Sequence, residues 1–477
     1  MLAPRVSLLN QEEKDRIHGK SLELLQKVGI QFGSSKAIEA LEEAGCQVDW
    51  DNLSAKFPQK LVEQALSSLP SQFMLAGRNP ENDIICGDGS VYYTVPGQCP
   101  WIRDLETRKR RPATSEDLIK SAYLVEAMGT IEQWCALVLP SDVPPGLRKL
   151  KSLHISLRYT MRNMLSGWEQ IETLPYFFES IDAVLGDRNR LRERPIFHAV
   201  INPSSPLTNG GTLVDIMLEF APYQIPIFMQ FLPLAGATAP VTLAGTVLQE
   251  NAAFLGNMTL YQLVEPGWPI LWAAATGVMD MTTGRYVGGP ESILMTLALV
   301  EMAKYYGVPS NNFGSSSSEG FNIGFQNGME CMLGFLMARL AEVDNIWWPG
   351  DLDGMNLVDL PTLVTANEAV RQVNRLHQGL DIDEEHFLFE VIEKMRFRGE
   401  YLGDPSTKKF FRQEHLLPDL FPRESYEAWE TRGQSDEEMA ISRTKELLAS
   451  YEHEPLPDEV DKELDRIMNS ARKALAE

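Results

Sequence analysis

Ile196-Phe-His-Ala-Val-Ile201 and Ile227-Phe-Met-Gln-Phe-Leu232 are short, largely apolar runs, and residues 212–222 between them read as a helix. Runs of six residues suit strands, and a helix joining two of them forms a crossover that leaves the strands parallel. The alternation continues in both directions. Towards the C-terminus, strands at 270–275, 312–316 and 345–348 alternate with helices at 241–264, 291–306, 326–341 and 360–377. Towards the N-terminus, strands at 91–95, 132–139 and 164–168 alternate with helices at 116–128, 147–159 and 174–185. Eight strand–helix units in tandem predict an α/β fold, a closed (β/α)8 TIM barrel over residues 91–380. An open doubly wound sheet is the lesser alternative. No G-x-G-x-x-G stands at a strand–helix junction and no G-x-x-x-x-G-K occurs, so nucleotide binding is not indicated.

The flanks read differently. Residues 1–90 predict a helical cap, with Asn10 capping a helix whose stripe is Ile17, Leu22, Leu24, Leu25 and Val28, and further helices at 37–44 and 58–69. Residues 381–477 predict a helical extension: an amphipathic helix at 383–397, a Gly, Asp and Pro loop at 399–407, then helices studded with Glu and Lys.

The 477 residues are 44% hydrophobic and 23% charged, which suffices for a large core. Against 66 acidic residues stand 43 Lys and Arg, a net charge of −23. That balance disfavours nucleic acid and anionic membranes, and it can steer a cationic substrate inward. Cys46, Cys86, Cys99, Cys135 and Cys331 are scattered, with neither a disulfide framework nor zinc spacing. Without a signal-peptide pattern or a long apolar run, a cytoplasmic location is expected.

In such a barrel the chemistry sits at the C-terminal ends of the strands. Aromatic residues recur there: Trp101, Trp168, Phe231, Phe313, Trp347 and Trp348. Histidine does not, so neither a histidine metal site nor a histidine base is expected. Aromatic faces attract a permanent cation through the ring quadrupole, by about 0.5–2 kcal/mol each. Because side chains alternate along a strand, at most one of Trp347 and Trp348 should face the site. Core packing is the competing role for each ring. Glu319, Asp351 and Asp353 are candidate acids or metal ligands, with solvated loop acids as the plainer reading, and Gly314 to Ser318 form either an anion nest or a flexible loop.

The sequence resembles the trimethylamine:corrinoid methyltransferase family in its branch without pyrrolysine. The resemblance runs nearly end to end: Ile17-His18, Ser21-Leu22 and Val28-Gly29-Ile30; Asn202-Pro-Ser-Ser-Pro-Leu207; Ala235-Gly-Ala-Thr-Ala-Pro-Val-Thr-Leu-Ala-Gly245; Glu250-Asn251 and Gln262; then Phe410-Phe411-Arg412, Pro418, Tyr426, Trp429, Gly433 and Pro455-Leu-Pro457. In the founding members pyrrolysine would fall near Phe325-Gln326-Asn327-Gly328, ahead of Glu330, where this chain has ordinary residues. In the loop 399–407 relatives tend to carry a histidine, and this chain reads Gly403-Asp404-Pro405-Ser406-Thr407.

The resemblance implies methyl transfer from a small quaternary amine, such as glycine betaine or proline betaine, to the Co(I) of cobalamin carried by a separate corrinoid protein. No tightly bound cofactor of the chain's own is expected. Gln326 and Glu319 are then the candidate catalytic residues, and a homo-oligomer is expected. A metal-assisted barrel lyase or hydrolase, using Glu319, Asp351 and Asp353, and a non-catalytic betaine-binding protein are the alternatives.

Overall fold

Every barrel strand is short, and closure of the ring depends on their register. The computed structural model describes residues 4–168, 170–313, 317–347, 350–397 and 399–475. We number the barrel strands β1 (Tyr92–Thr94), β2 (Gln133–Cys135), β3 (Asn163–Gly167), β4 (Phe197–Ile201), β5 (Ile227–Gln230), β6 (Ile270–Ala273), β7 (Ser310–Asn311) and β8 (Asn345–Trp347). All eight pair in parallel, and β8 returns to β1 through Asn345 opposite Tyr92 and Trp347 opposite Thr94. The helices that follow them are α1 (Ser115–Met128), α2 (Arg148–Tyr159), α3 (Leu174–Leu185), α4 (Gly211–Phe220), α5 (Leu243–Val264), α6 (Gly289–Tyr306), α7 (Phe325–Leu340) and α8 (Leu360–Gln378). The (β/α)8 expectation is met.

Alternation along the strands sorts the side chains. Trp134 of β2 reaches Ser156 of α2, and Trp272 of β6 stacks on Phe254 of α5 at 4.0 Å, so these rings fill the layer between barrel and helices. Helix α5 is apolar around most of its circumference because the barrel covers one side and the N-terminal cap the other. Gly256 permits that second contact: a Cβ there would collide with Ile30 and crowd Leu25 of the cap.

The cap helix Gln11–Lys27 starts with a capping box in which Asn10 accepts from the Glu13 amide and Glu13 accepts in return. Helices Ser35–Glu43 and Gln59–Ser68 follow, with a three-stranded sheet (Ile30–Gln31, Gln47–Asp49, Ser54–Lys56) that the sequence reading did not foresee. A hairpin of Phe73–Leu75 and Ile84–Cys86 meets the underside of the barrel, where Phe73 packs edge-on to His198 at 6.4 Å.

Four expectations need correction. Strand seven lies at Ser310–Asn311, ahead of Asn312 and Phe313 of the expected 312–316, whose residues 314–316 lie outside the described residues, because buried polar residues carry the pairing: Asn311 donates to Asn345 at 2.6 Å, and Asn312 accepts from the Trp347 amide. Strand two stops at Cys135, well short of 139. The helix expected over 383–397 is two, Glu384–Phe387 and Phe389–Met395, broken at Leu388 in left-handed backbone (φ +50°). The expected loop 399–407 gives way at Pro405 to a helix through Glu414, capped by Asp404. Beyond it, helices Asp436–Ser450 and Asp458–Leu475 pack back on the barrel helices. Arg158 of α2 binds Asp461 and Asp465 there. No helix among the described residues is long and apolar enough to cross a membrane.

Candidate active site

Strands β5 and β8 are three places apart in the ring, so side chains from the two touch through its interior. Trp347 of β8 does so: its ring lies 6.5 Å from Phe228 of β5 and 4.4 Å, edge to face, from Phe313 just beyond β7. These three rings form an aromatic layer inside the barrel. The indole N–H of Trp347 is buried with no hydrogen-bond partner among the described residues.

Beneath them lies a polar layer drawn from six strands. Thr94 Oγ1 lies 2.6 Å from Gln133 Oε1 and 2.7 Å from Asn345 Oδ1; Gln133 Nε2 reaches Asn163 at 2.9 Å and His198 Nδ1 at 3.1 Å; Asn311 completes it through Asn345. Burial lowers the His198 pKa to about 3, so this imidazole stays neutral and structural.

Above the rings, the mouth is acidic on the side of β6 to β8. Asp351, just after β8, is fully buried, and the Ser317 hydroxyl and the amides of Gly350 and Asp351 are the polar groups that favour its charged form. Burial raises its pKa to about 7, and the neighbouring charge of Glu319 adds to the shift. Glu319, in the loop after β7, is half-buried and raised for the same first reason, loss of solvent, against the Gly288 amide at 3.4 Å. The buried hydroxyl of Tyr286 lies within the field of both acids, although desolvation is the main cause of its raised pKa. Asp353 is different: it pairs with Arg285 at 2.5 Å on the rim.

Beyond β8 in the ring, on the side of β1 to β3, stands a lysine. Lys149 occupies the first turn of α2, on the face through which Ser156 meets Trp134. A barrel helix starts at the level where its strand ends, so this turn lies at the mouth. The Lys149 ammonium donates to Gln98 Oε1, and Gln98 Nε2 lies 3.4 Å from Ser166 Oγ. The Lys149 charge also reaches buried Cys135 on the inner wall.

Of the aromatic residues singled out in the sequence, the structure brings together Phe313 and Trp347. Trp168 is buried on the opposite face of β3, edge-on to Phe177 of α3 at 5.0 Å. Phe231 is buried beside Ser205 and Glu250, between β5 and α5. Trp101 belongs to a separate four-stranded sheet that also carries Asp351, and Arg110 already covers its ring at 4.2 Å. Trp348 lies outside the described residues. Gln326 is exposed on the first turn of α7 and donates to Glu330 at 2.9 Å. Glu330 in turn holds Ser318 and the Glu319 amide, so Gln326 connects to the acidic wall indirectly.

Phe228 and Lys149 were not expected. Phe228 lies mid-strand, below the strand ends where site residues were sought, and Lys149 is one of several basic residues in Arg148-Lys-Leu-Lys151. Only the three-residue spacings of α2 mark position 149 as the inward one. Among the described residues no three His, Cys, Asp or Glu side chains group as metal ligands. Clefts of about 980 and 660 Å3 open against the C-terminal extension, the first at α8 and the second between the first turns of α7 and α8, where Asn327 and Cys331 line it.

A parallel eight-stranded barrel with an aromatic floor and acids at its rim is a TIM barrel with a small-molecule site at the end where such folds carry one. The monomethylamine methyltransferase of Methanosarcina barkeri has a similar fold, with a TM-score of 0.54 at 9% identity over 94% of this chain and 89% of that one. The family model described as trimethylamine methyltransferase (MTTB) matches residues 2–476, and the chain belongs to that methyltransferase family. A trimethylamine methyltransferase of Desulfitobacterium hafniense (strain DSM 10664 / DCB-2) is 30% identical, covering 94% of this chain and 90% of its own. The glycine betaine methyltransferase of Desulfitobacterium hafniense (strain Y51) is 26% identical, covering 100% and 99%.

Proposed function

We propose that this methyltransferase takes a methyl group from a quaternary amine of the betaine type and transfers it to the Co(I) of a corrinoid held by a separate protein. The observation that carries this reading is the aromatic layer of Phe228, Phe313 and Trp347 beneath an acidic rim. Ring faces and carboxylates both favour a permanent cation, and neither requires it to have an N–H. The ordinary residues at Phe325 to Gly328 and the full-length similarity to a glycine betaine methyltransferase support the same donor.

The chemistry asks little of a base. The C–N bond breaks with its electron pair left on nitrogen, giving a neutral tertiary amine, and the methyl carbon bonds to cobalt, whose pair forms the new bond. Co(I) thus becomes methyl-Co(III), and no proton moves at the leaving group. The chain's residues bind the cation, align one N–CH3 bond and keep water out. In this reading Glu319 and Asp351 supply negative potential near the ammonium. Gln326 acts as a positioning residue, steadying the Glu319 loop through Glu330. Trp101, Trp168 and Phe231 are proposed as support around the cage.

We also propose self-association. Phe389 (68% exposed), Phe397 (99%) and Leu402 (80%) stand in one stretch of the C-terminal extension as apolar side chains left in solvent, which suits burial against a second copy.

The test is a panel. Reduced cobalamin incubated with the protein should become methylcobalamin with glycine betaine or proline betaine and remain reduced with trimethylamine. Comparable rates with trimethylamine would overturn the quaternary-amine reading.

A further inference from the structure

We infer that Gln230 is a specificity-determining residue of this mouth: its carboxamide, with Asn202 beside it, receives the carboxylate of the methyl donor, so that zwitterionic betaines are favoured over bare ammonium cations. The inference rests on the functional reading above and names the group by which the site chooses among quaternary amines.

Alternation along β5 places the residue. Phe228 faces the barrel interior, where its ring meets those of His198 and Trp347. Phe231 faces the other way, between β5 and α5. Gln230 lies two residues on from Phe228, so it shares the inner face and stands one layer nearer the mouth. Burial marks the change of level: Phe228 is fully buried and Gln230 is not. The neighbouring strands leave it uncovered. Its register partner on β6 is Ala273, a single methyl, and Val200, level with Phe228 on β4, also keeps part of its surface exposed. Asn202, one step past the paired Ile201 and Met229, continues β4 beside Gln230 and is exposed.

Two carboxamides thus stand where β4 and β5 open into the mouth, and neither has a hydrogen-bond partner among the described residues. A purely structural amide inside a barrel is bonded, as Gln133 of the polar layer is to Thr94, Asn163 and His198. Nothing fixes the Gln230 amide, so it can turn its NH2 towards an acceptor. A carboxylate is the acceptor this mouth directs there. Glu319 and Asp351 follow β7 and β8, two and three places along the ring from β5, and repel an anion from their own side. The rings of Phe228, Phe313 and Trp347 attract the cationic head. A carboxamide offers N–H donors without a charge that would oppose that head. Its bond to an ionised acceptor is roughly twice as strong as one to a neutral group, so an alcohol in the same place gains less.

Binding calorimetry on the full-length protein tests this with two probes, glycine betaine and tetramethylammonium, which share a quaternary nitrogen and differ in the carboxylate. Gln230→Glu keeps the size of the side chain and replaces its N–H donors by a second carboxylate oxygen. A hydrogen bond to a charged group corresponds to roughly 10- to 150-fold in affinity. Gln230→Glu should therefore weaken glycine betaine at least about tenfold and leave tetramethylammonium unchanged or tighter. Gln230→Leu should lose glycine betaine to a similar extent, with tetramethylammonium kept within about threefold. If neither variant folds, Asn202→Asp, at an exposed position, carries the same test with a smaller loss. Glycine betaine bound as tightly by Gln230→Glu as by the parent overturns the inference. A parallel loss of both probes also overturns it, in favour of a structural glutamine. A parent that binds tetramethylammonium and not glycine betaine overturns it too, and leaves the cation site of the functional reading standing. Failure of the parent to bind either probe contradicts the functional reading itself.

Discussion

Asp351 is the residue whose chemistry is least explicable by folding alone. A fully buried carboxyl is costly when charged, which is why its pKa rises to about 7 despite the Ser317 hydroxyl and nearby amides. The sign of the consequence follows by linkage. A folded-state pKa above the ordinary value contributes stability that is complete below about pH 4 and is lost as pH rises through about 7. A cation beside the carboxylate favours its charged form, so ligand affinity should move the opposite way. Affinity for a quaternary ammonium is expected to rise between pH 6 and pH 8, and in Asp351→Asn to stay flat. Calorimetry at four pH values checks this; a parent profile as flat as the variant's would remove Asp351 from the site. The sequence marked Asp351 and Glu319 as candidate acids from their place after strands, but not their burial, because burial depends on loops that arrive from four parts of the chain. Trp347 and Phe313 were legible for a simpler reason, since Trp347 ends a barrel strand and Phe313 lies just beyond one.

At the scale of elements, alternation along a strand decides what each tryptophan does. Trp347 shares the inner face of β8 with Asn345, whereas Trp168 points from β3 towards Phe177 of α3. Their alanine variants should therefore fail differently. Trp347→Ala should weaken betaine binding by roughly tenfold, since one ring face in a desolvated site is worth on the order of 1–2 kcal/mol. Trp168→Ala should cost about 3–5 kcal/mol of stability through the cavity it leaves, with binding per folded molecule retained. Melting temperature and affinity measured on both proteins distinguish the two; reversed outcomes would mean the faces are misassigned. The helices were legible almost to the residue, α3 at both ends, because long apolar periodicities and caps fix them locally. Strand β7 was not. Its pairing residues Ser310 and Asn311 are polar, and only the polar layer inside the closed ring makes burial of Asn311 favourable.

For the whole molecule, barrel closure was legible as a count of eight units, while the small sheets of the cap and rim were not, because their strands of two or three residues carry no periodicity. The exposed apolar stretch of the C-terminal extension makes a further expectation: light scattering should report an oligomer, and Phe389→Glu with Phe397→Glu should shift it towards monomer. A parent that is monomeric at micromolar concentration would contradict it. The central claim is the direction of methyl flow, and one labelled turnover tests it directly. The protein is mixed with reduced cobalamin and glycine betaine carrying 13C in its N-methyl groups, and both products are read by mass spectrometry. The expected result is labelled methylcobalamin and dimethylglycine in equal amounts. Unlabelled cobalamin with intact betaine, under conditions where calorimetry shows the betaine bound, would contradict the account.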